Sequence, residues 1–197
     1  MILAAGTDLP DRPTTGWSRS ATATALYTGL TLAALVWRGA RSDLNIFVHP
    51  GTDPRFGFLS VVAGVALGGA VVVLSRLAVA RFAWARMLHR EFHDLLGPLS
   101  DREVLVIALA SSIGEECFFR GAMMVDLGLL ASAAIFALLH VGPGWRYMPW
   151  TISAFLMGLA MGACFRFFGD LGAPIAAHFT VNYLNLRHIR DHELPKG

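Results

Sequence analysis

Hydrophobic residues in this chain gather into long unbroken blocks separated by short polar stretches, and the three-or-four-residue rhythm of a soluble amphipathic helix is confined to one place. A helix needs roughly 20 apolar residues to cross a hydrocarbon core about 30 Å thick. Blocks of this kind run from about Ser20 to Trp37, Phe56 to Val79, Asp101 to Asp126, Leu129 to Leu139 or a little beyond, Tyr147 to Phe168, and Gly172 to Asn185. Six spans are therefore expected. The pattern predicts an all-α, multi-pass bundle forming a single membrane domain over 1–197. Trp17 and Trp37 are spaced to occupy the two interfacial aromatic belts.

The polar stretches divide these blocks. RGARSDLNIFVHPGTDPR, residues 38–55, is rich in charge, Gly and Pro and reads as a loop. From Arg81 to Arg102 charged residues alternate with Phe82, Trp84, Leu88, Phe92, Leu95 and Leu96, which suits an amphipathic segment lying at the interface. Gly97-Pro98 ends that segment, and Ser100 with Glu103 three residues on forms a capping-box signature for the next helix. Gly128 and the GPGW run at 142–145 mark two further breaks, and Pro174 fits the first turn of the last helix. Gly64/Gly68 and Gly158/Gly162 have the small-xxx-small spacing of closely packed membrane helices, and packing is their expected role.

Composition agrees with a bilayer environment: 55% of residues are hydrophobic, 15% are charged, and the mean hydropathy is +0.54. Cys117 and Cys164 lie in apolar stretches, in neither a disulfide ladder nor a CxxC pattern, and Cys117 reads as a small buried residue. The opening MILAAGTDLPDRPTTGWSRS lacks the charged and apolar regions of a removable signal peptide and reads as a polar tail. The net charge of +2 includes no dense basic cluster, so nucleic acid is not an expected partner. Fifteen arginines and one lysine hint at a GC-rich, bacterial genome. Most of them fall in loops on the N-terminal side of the expected topology, leaving Arg38, Arg41, Arg55 and Arg166 opposite. By the positive-inside rule both termini are cytoplasmic, which suits a bacterial inner membrane.

GEECFFRG, from Gly114 to Gly121, sets three charges inside an apolar block. Each charge facing lipid would cost roughly 2.5–3.5 kcal/mol, so all three must face protein or trapped water. Glu116 and Arg120 are spaced i, i+4 with the acid first, the favourable order for an ion pair. Glu115 points about 100° away and needs another partner. Glu115 and His140 stand a dozen residues either side of Gly128, so an antiparallel hairpin puts them at similar depth, with Phe136 one turn before His140. His178 and Asn182 share one face of the last helix. A carboxylate, two histidines and a carboxamide in one polar pocket suit activation of water for attack on an amide and stabilisation of the resulting oxyanion. The other histidines, His49, His89, His93, His188 and His192, fall in expected loops or the tail and read as solvated.

EECFFR, FALLH and HFTVN resemble, in order, the EExxxR, FxxxH and HxxxN motifs of the CPBP family of intramembrane proteases, which includes the CaaX prenyl endopeptidases and bacterial Abi-type proteins. The resemblance covers about 95–185; the spans at about 20–37 and 56–79 carry no family signal. It implies that Glu115 is the catalytic base holding water with His140, that His178 and Asn182 stabilise the oxyanion, and that Glu116 and Arg120 are supporting or substrate-orienting residues; Phe136, one turn before His140, is expected to support the imidazole by packing beside it. No cofactor is expected, although Glu115, His140 and His178 would make a chemically reasonable open zinc site. The expected partners are the lipid bilayer and a membrane-associated peptide or protein, with C-terminal processing of anchored or sorted proteins as one role. A transporter, immunity or scaffold protein using the same polar residues for binding is the alternative.

Overall fold

In the computed structural model the described residues are 18–48, 52–53 and 56–195. Trp17, Arg12, His49, Arg55 and Lys196 lie outside them. Seven α-helices carry the fold: α1 (Arg19–Gly39), α2 (Phe56–Arg81), α3 (Ala83–Leu96), α4 (Asp101–Glu116), α5 (Met124–Leu138), α6 (Met148–Phe168) and α7 (Gly172–Asp191). A π-helical turn, Cys117–Met123, joins α4 to α5, and a 3₁₀ turn, Trp145–Tyr147, precedes α6. The predicted capping box is present: the Ser100 hydroxyl accepts from the Glu103 amide while the Glu103 carboxylate accepts from the Ser100 amide.

Among the described residues four helices are long and apolar enough to cross a membrane: Arg19–Gly39, Phe56–Arg81, the merged run Asp101–Leu138 and Trp145–Phe168. The chain is a membrane protein, but the six expected spans are not equal. Gly128, at φ 83° and ψ 170°, bends the long run as the sequence suggested. The returning arm, from Leu129 to Leu138, rises only about 15 Å at 1.5 Å per residue, half of a hydrocarbon core. α7 runs six residues past the expected Asn185, and its polar side chains keep it below the apolarity of the other four.

Close backbone approach determines how the helices meet. α2 and α7 lie side by side, running in the same direction, and a β-carbon at Gly64 would fall 2.3 Å from the Ala173 carbonyl oxygen. One at Gly68 would fall 2.7 Å from that of Ala177. Gly158 and Gly162 admit Ala133 and Leu129 of the returning arm of α5. Gly158 does more than pack, because its carbonyl accepts from Arg120 at 3.2 Å.

α3 crosses one end of the bundle. Arg19 at the start of α1 donates to the carbonyls of Leu96 and Pro98, and Tyr147 donates to Glu91 at 3.1 Å. His89 is 4% exposed and lies 5.5 Å from the His188 ring, so these two residues are part of the α3–α7 contact and not of solvated loops. At the opposite end Trp37, Arg38 and Arg41 surround Asp126 just before the Gly128 bend.

Candidate active site

The charged block of the sequence lies where α4 widens into the π turn. A π turn admits one extra residue and leaves carbonyls without their usual partner. Here the Ser132 hydroxyl, from the returning arm, donates to the Phe119 carbonyl at 2.9 Å. The uninterrupted α-helix expected to Asp126 is thus interrupted at the motif itself. Both flanking glycines are contact points. A β-carbon at Gly114 would meet the Tyr27 carbonyl at 2.6 Å, and one at Gly121 the Ile46 carbonyl at 2.5 Å. α1 and the loop after it therefore press directly on the two ends of GEECFFRG.

Glu116 is fully buried, with 0% exposure, and Arg120 is 1% exposed. Oε1 of Glu116 accepts from Arg120 Nη1 at 2.8 Å, the pair that the i, i+4 spacing predicts. The same oxygen lies 2.7 Å from Nδ1 of His178, a contact the spacing gave no sign of. Arg120 also lies over the Phe136 ring at 4.7 Å, a buried cation–π contact. Phe136, 3% exposed, separates the charged layer from His140, whose ring is 4.5 Å away.

Glu115 faces α7 and α1. Its Oε2 stands 3.8 Å from Nε2 of His178 and is buried with no hydrogen-bond partner among the described residues. Tyr27 of α1 lies near enough for the charge of the same carboxylate to act on its phenol. One helical turn away Asn182 donates Nδ2 to the Ser111 hydroxyl at 2.9 Å. Glu115 and Ser111 on α4 thus face His178 and Asn182 on α7 as two successive rungs of an antiparallel pair.

The acceptors dictate which histidine nitrogens carry hydrogen. Nδ1 of His140 lies 2.7 Å from the Phe136 carbonyl, which can only accept, so Nδ1 is the donor and Nε2 of the neutral ring is left as a base. Thr151 donates to the His140 carbonyl at 2.8 Å, and Trp150 lies 5.3 Å from the His140 ring, holding it from the α6 side. Trp150 in turn meets Phe92 of α3 at 5.1 Å. The amphipathic helix therefore reaches the site through one aromatic ring.

All four candidate catalytic residues lie in this region, although their pairings differ from the simplest expectation. Glu115 is nearest His178, while His140 stands beyond Phe136. Among the described residues no three His, Cys, Asp or Glu side chains approach as a metal-binding group, so Glu115, His140 and His178 do not fit a zinc ion as placed here. The side chains form a closed cluster; a cleft of about 430 Å³ lies at the other end of the bundle, lined by residues such as Phe47, Val48, Asp170 and Ile175. Sequence reasoning missed Tyr27, Ser111, Ser132 and Trp150. Ser111 had a signal, one turn before Glu115 on the same face, whereas Tyr27 is one polar ring in an apolar span.

Residues 102–184 match the family model described as type II CAAX prenyl endopeptidase Rce1-like. This stretch holds all three motifs and agrees with the resemblance they carry. The chain is also 28% identical, over 90 residues, to the uncharacterized protein YpbD of Bacillus subtilis (strain 168). That alignment covers 44% of this chain and 46% of YpbD, less than half of either. No solved structure matches.

Proposed function

We propose that this membrane protein, with an Rce1-like segment at 102–184, is an intramembrane endopeptidase that uses Glu115 and the histidines around it to direct water at a peptide bond. The observation that carries the reading is that Oε2 of Glu115, buried without a partner as Oε2 of Glu116 also is, faces Nε2 of His178 across 3.8 Å. A buried carboxylate oxygen without a donor is costly unless it holds a proton or a water.

Glu115 takes the proton of a water as its oxygen attacks the scissile carbonyl, and the basic Nε2 of His140, on the other side of Phe136, is the second base at the site. Glu115, Glu116 and Arg120 sum to one negative charge, and a proton on His178 balances the cluster. That proton leaves Nε2 of His178 a donor to the developing oxyanion, beside the second amide hydrogen of Asn182. Collapse of the tetrahedral intermediate returns a proton from Glu115 to the leaving amine. Glu116 and Arg120 hold His178, and Phe136 keeps the charged layer dry. No metal enters this scheme, so activity is expected to survive chelation in protein shown by elemental analysis to be metal-free; loss of activity in step with loss of zinc would overturn it.

The substrate is a membrane-associated peptide or protein, with C-terminal trimming of anchored proteins as the proposed role. The end of the bundle that holds α3 carries Arg19, Arg76, Arg81, Arg86, Arg90, Arg102, Arg146, Arg187 and Arg190, which supports cytoplasmic termini in a bacterial inner membrane. The deciding experiment measures cleavage of a membrane-anchored reporter by the intact chain and by Glu115→Gln. Cleavage is expected to fall at least about 1000-fold; equal cleavage by both would point instead to a binding or transport role for the cluster.

A further inference from the structure

α1 lies outside the segment that matches the family model, yet it is packed against α4, the helix that carries the carboxylate on which the proposed chemistry depends. α1 and α4 run in the same direction, joined at one end by Arg19 to the carbonyls of Leu96 and Pro98 and at the other by Trp37 to Asp126 at 2.7 Å. Between these ties the helices come into close backbone approach at Gly114. A β-carbon there would come within 2.6 Å of the Tyr27 carbonyl and 2.8 Å of its β-carbon. Gly114 immediately precedes Glu115, so the glycine that admits α1 also sets Tyr27 beside that residue, near enough for the carboxylate's charge to act on the phenol. Thr31 donates to the Tyr27 carbonyl at 3.0 Å, which ties that turn of α1 internally.

We propose that Tyr27 is a positioning residue: its phenol donates to the Glu115 carboxylate, turns the free oxygen towards His178 and the water site, and favours the charged form that accepts a proton. This rests on Glu115 being the base. The chemistry follows from what surrounds the carboxylate. Glu116 is held by Arg120 and His178, whereas Glu115 has His178 at 3.8 Å, too far for a hydrogen bond, and needs a neutral donor to be ionised and directed. A phenol supplies a hydrogen without adding a charge, leaving the balance of the cluster unchanged.

The test is the pH dependence of reporter cleavage by full-length protein in detergent or nanodiscs, comparing wild type, Tyr27→Phe and Tyr27 replaced by 3-fluorotyrosine. Tyr27→Phe keeps the ring that packs on Gly114 and loses the donor. The acid limb of its profile is expected to move up by about one to two pH units, as loss of a hydrogen bond to a charged group implies. The more acidic fluorinated phenol is a stronger donor and should move that limb down. A merely structural role would change the rate or the yield of folded protein and leave the limb in place, and an unmoved or oppositely moved limb would overturn the proposal. A second readout does not require turnover. The infrared band of the protonated Glu115 carboxyl, assigned by its loss in Glu115→Gln, should appear at higher pH in Tyr27→Phe. If wild type cleaves nothing, the proposed reaction fails, while this band still decides whether the phenol holds the carboxylate; a band at unchanged pH would rule that out.

Discussion

Nδ1 of His178 stands 2.7 Å from Oε1 of Glu116, the oxygen that also accepts from Arg120. Two donors on one fully buried carboxylate oxygen make Glu116 the junction between the hairpin and α7. Glu116→Gln is expected to leave Arg120 and His178 without their shared anion. Removing one partner of a buried pair costs about 3–5 kcal/mol. A large loss of thermal stability in detergent should accompany loss of activity, whereas Glu115→Gln should lose activity with nearly unchanged stability. Differential scanning fluorimetry alongside the reporter assay separates the two acids; equal stability of both variants would contradict this division.

Asn182 donates to Ser111 at 2.9 Å, which aims its carboxamide across the gap between α4 and α7. Asn182→Ala should lower kcat about 100- to 1000-fold if its second amide hydrogen meets the oxyanion. Ser111→Ala removes the aiming contact along with the hydroxyl's own bond to the Ala108 carbonyl, and interhelical hydrogen bonds in membranes contribute about 0.6 kcal/mol on average. A fall of about threefold to tenfold is expected from it. Steady-state kinetics on both variants checks the order, and a Ser111 variant as impaired as the Asn182 variant would refute it.

Gly64 faces a backbone carbonyl that cannot move aside, while Gly69 in the same helix has nothing within 4 Å of where a β-carbon would lie. Gly64→Ala should destabilise the protein by about 1–3 kcal/mol through overpacking between α2 and α7. Gly69→Ala should be neutral or slightly stabilising, because alanine favours helix over glycine by about 1 kcal/mol. Unfolding midpoints of the two variants test the contrast.

Burial, then the neighbouring Arg76 cation and His192 and His89, pushes His188 down to about 4 from its usual 6.5, against a smaller opposing effect of Asp191. Burial also lowers His89, against its hydrogen bond to the His192 carbonyl, with His93, Arg76 and His192 adding to the fall. Both groups are less readily protonated in the folded protein than in the unfolded chain. Their contribution is therefore intact above pH 6.5 and lost as pH falls from there toward 4. Hydrogen exchange should show α3 and the end of α7 opening more often at about pH 5 than at about pH 7. His188→Gln should flatten that difference.

Block length and polar punctuation were enough to place every helix near its true position, because a bilayer imposes length and an apolar surface on each crossing segment. The Gly128 bend, the capping box at Ser100 and the ion pair of Glu116 with Arg120 were legible for the same reason: each depends on residues close in sequence. Two of the three motifs carry residues that meet in the structure, Glu115 and Glu116 with His178, while His140 of the third stands beyond Phe136. The half-length of the returning arm was legible as well, as a block of about ten residues, but hydrophobicity alone counted it a span.

Tertiary structure alone decided which groups touch. His178 meets both glutamates because α7 runs antiparallel to α4 at one particular register, and no spacing within either helix encodes that register. Tyr27 packs against Gly114, beside Glu115, because the missing β-carbon lets two backbones approach, a contact between positions 87 residues apart in the chain. The π turn depends on a hydroxyl from the opposite arm of the hairpin. The sequence by itself thus determined which chemical groups enter the membrane and on which helix. Their pairing, and with it the chemistry proposed for Glu115, was decided by close packing between helices, where one missing β-carbon determines which side chain comes within reach.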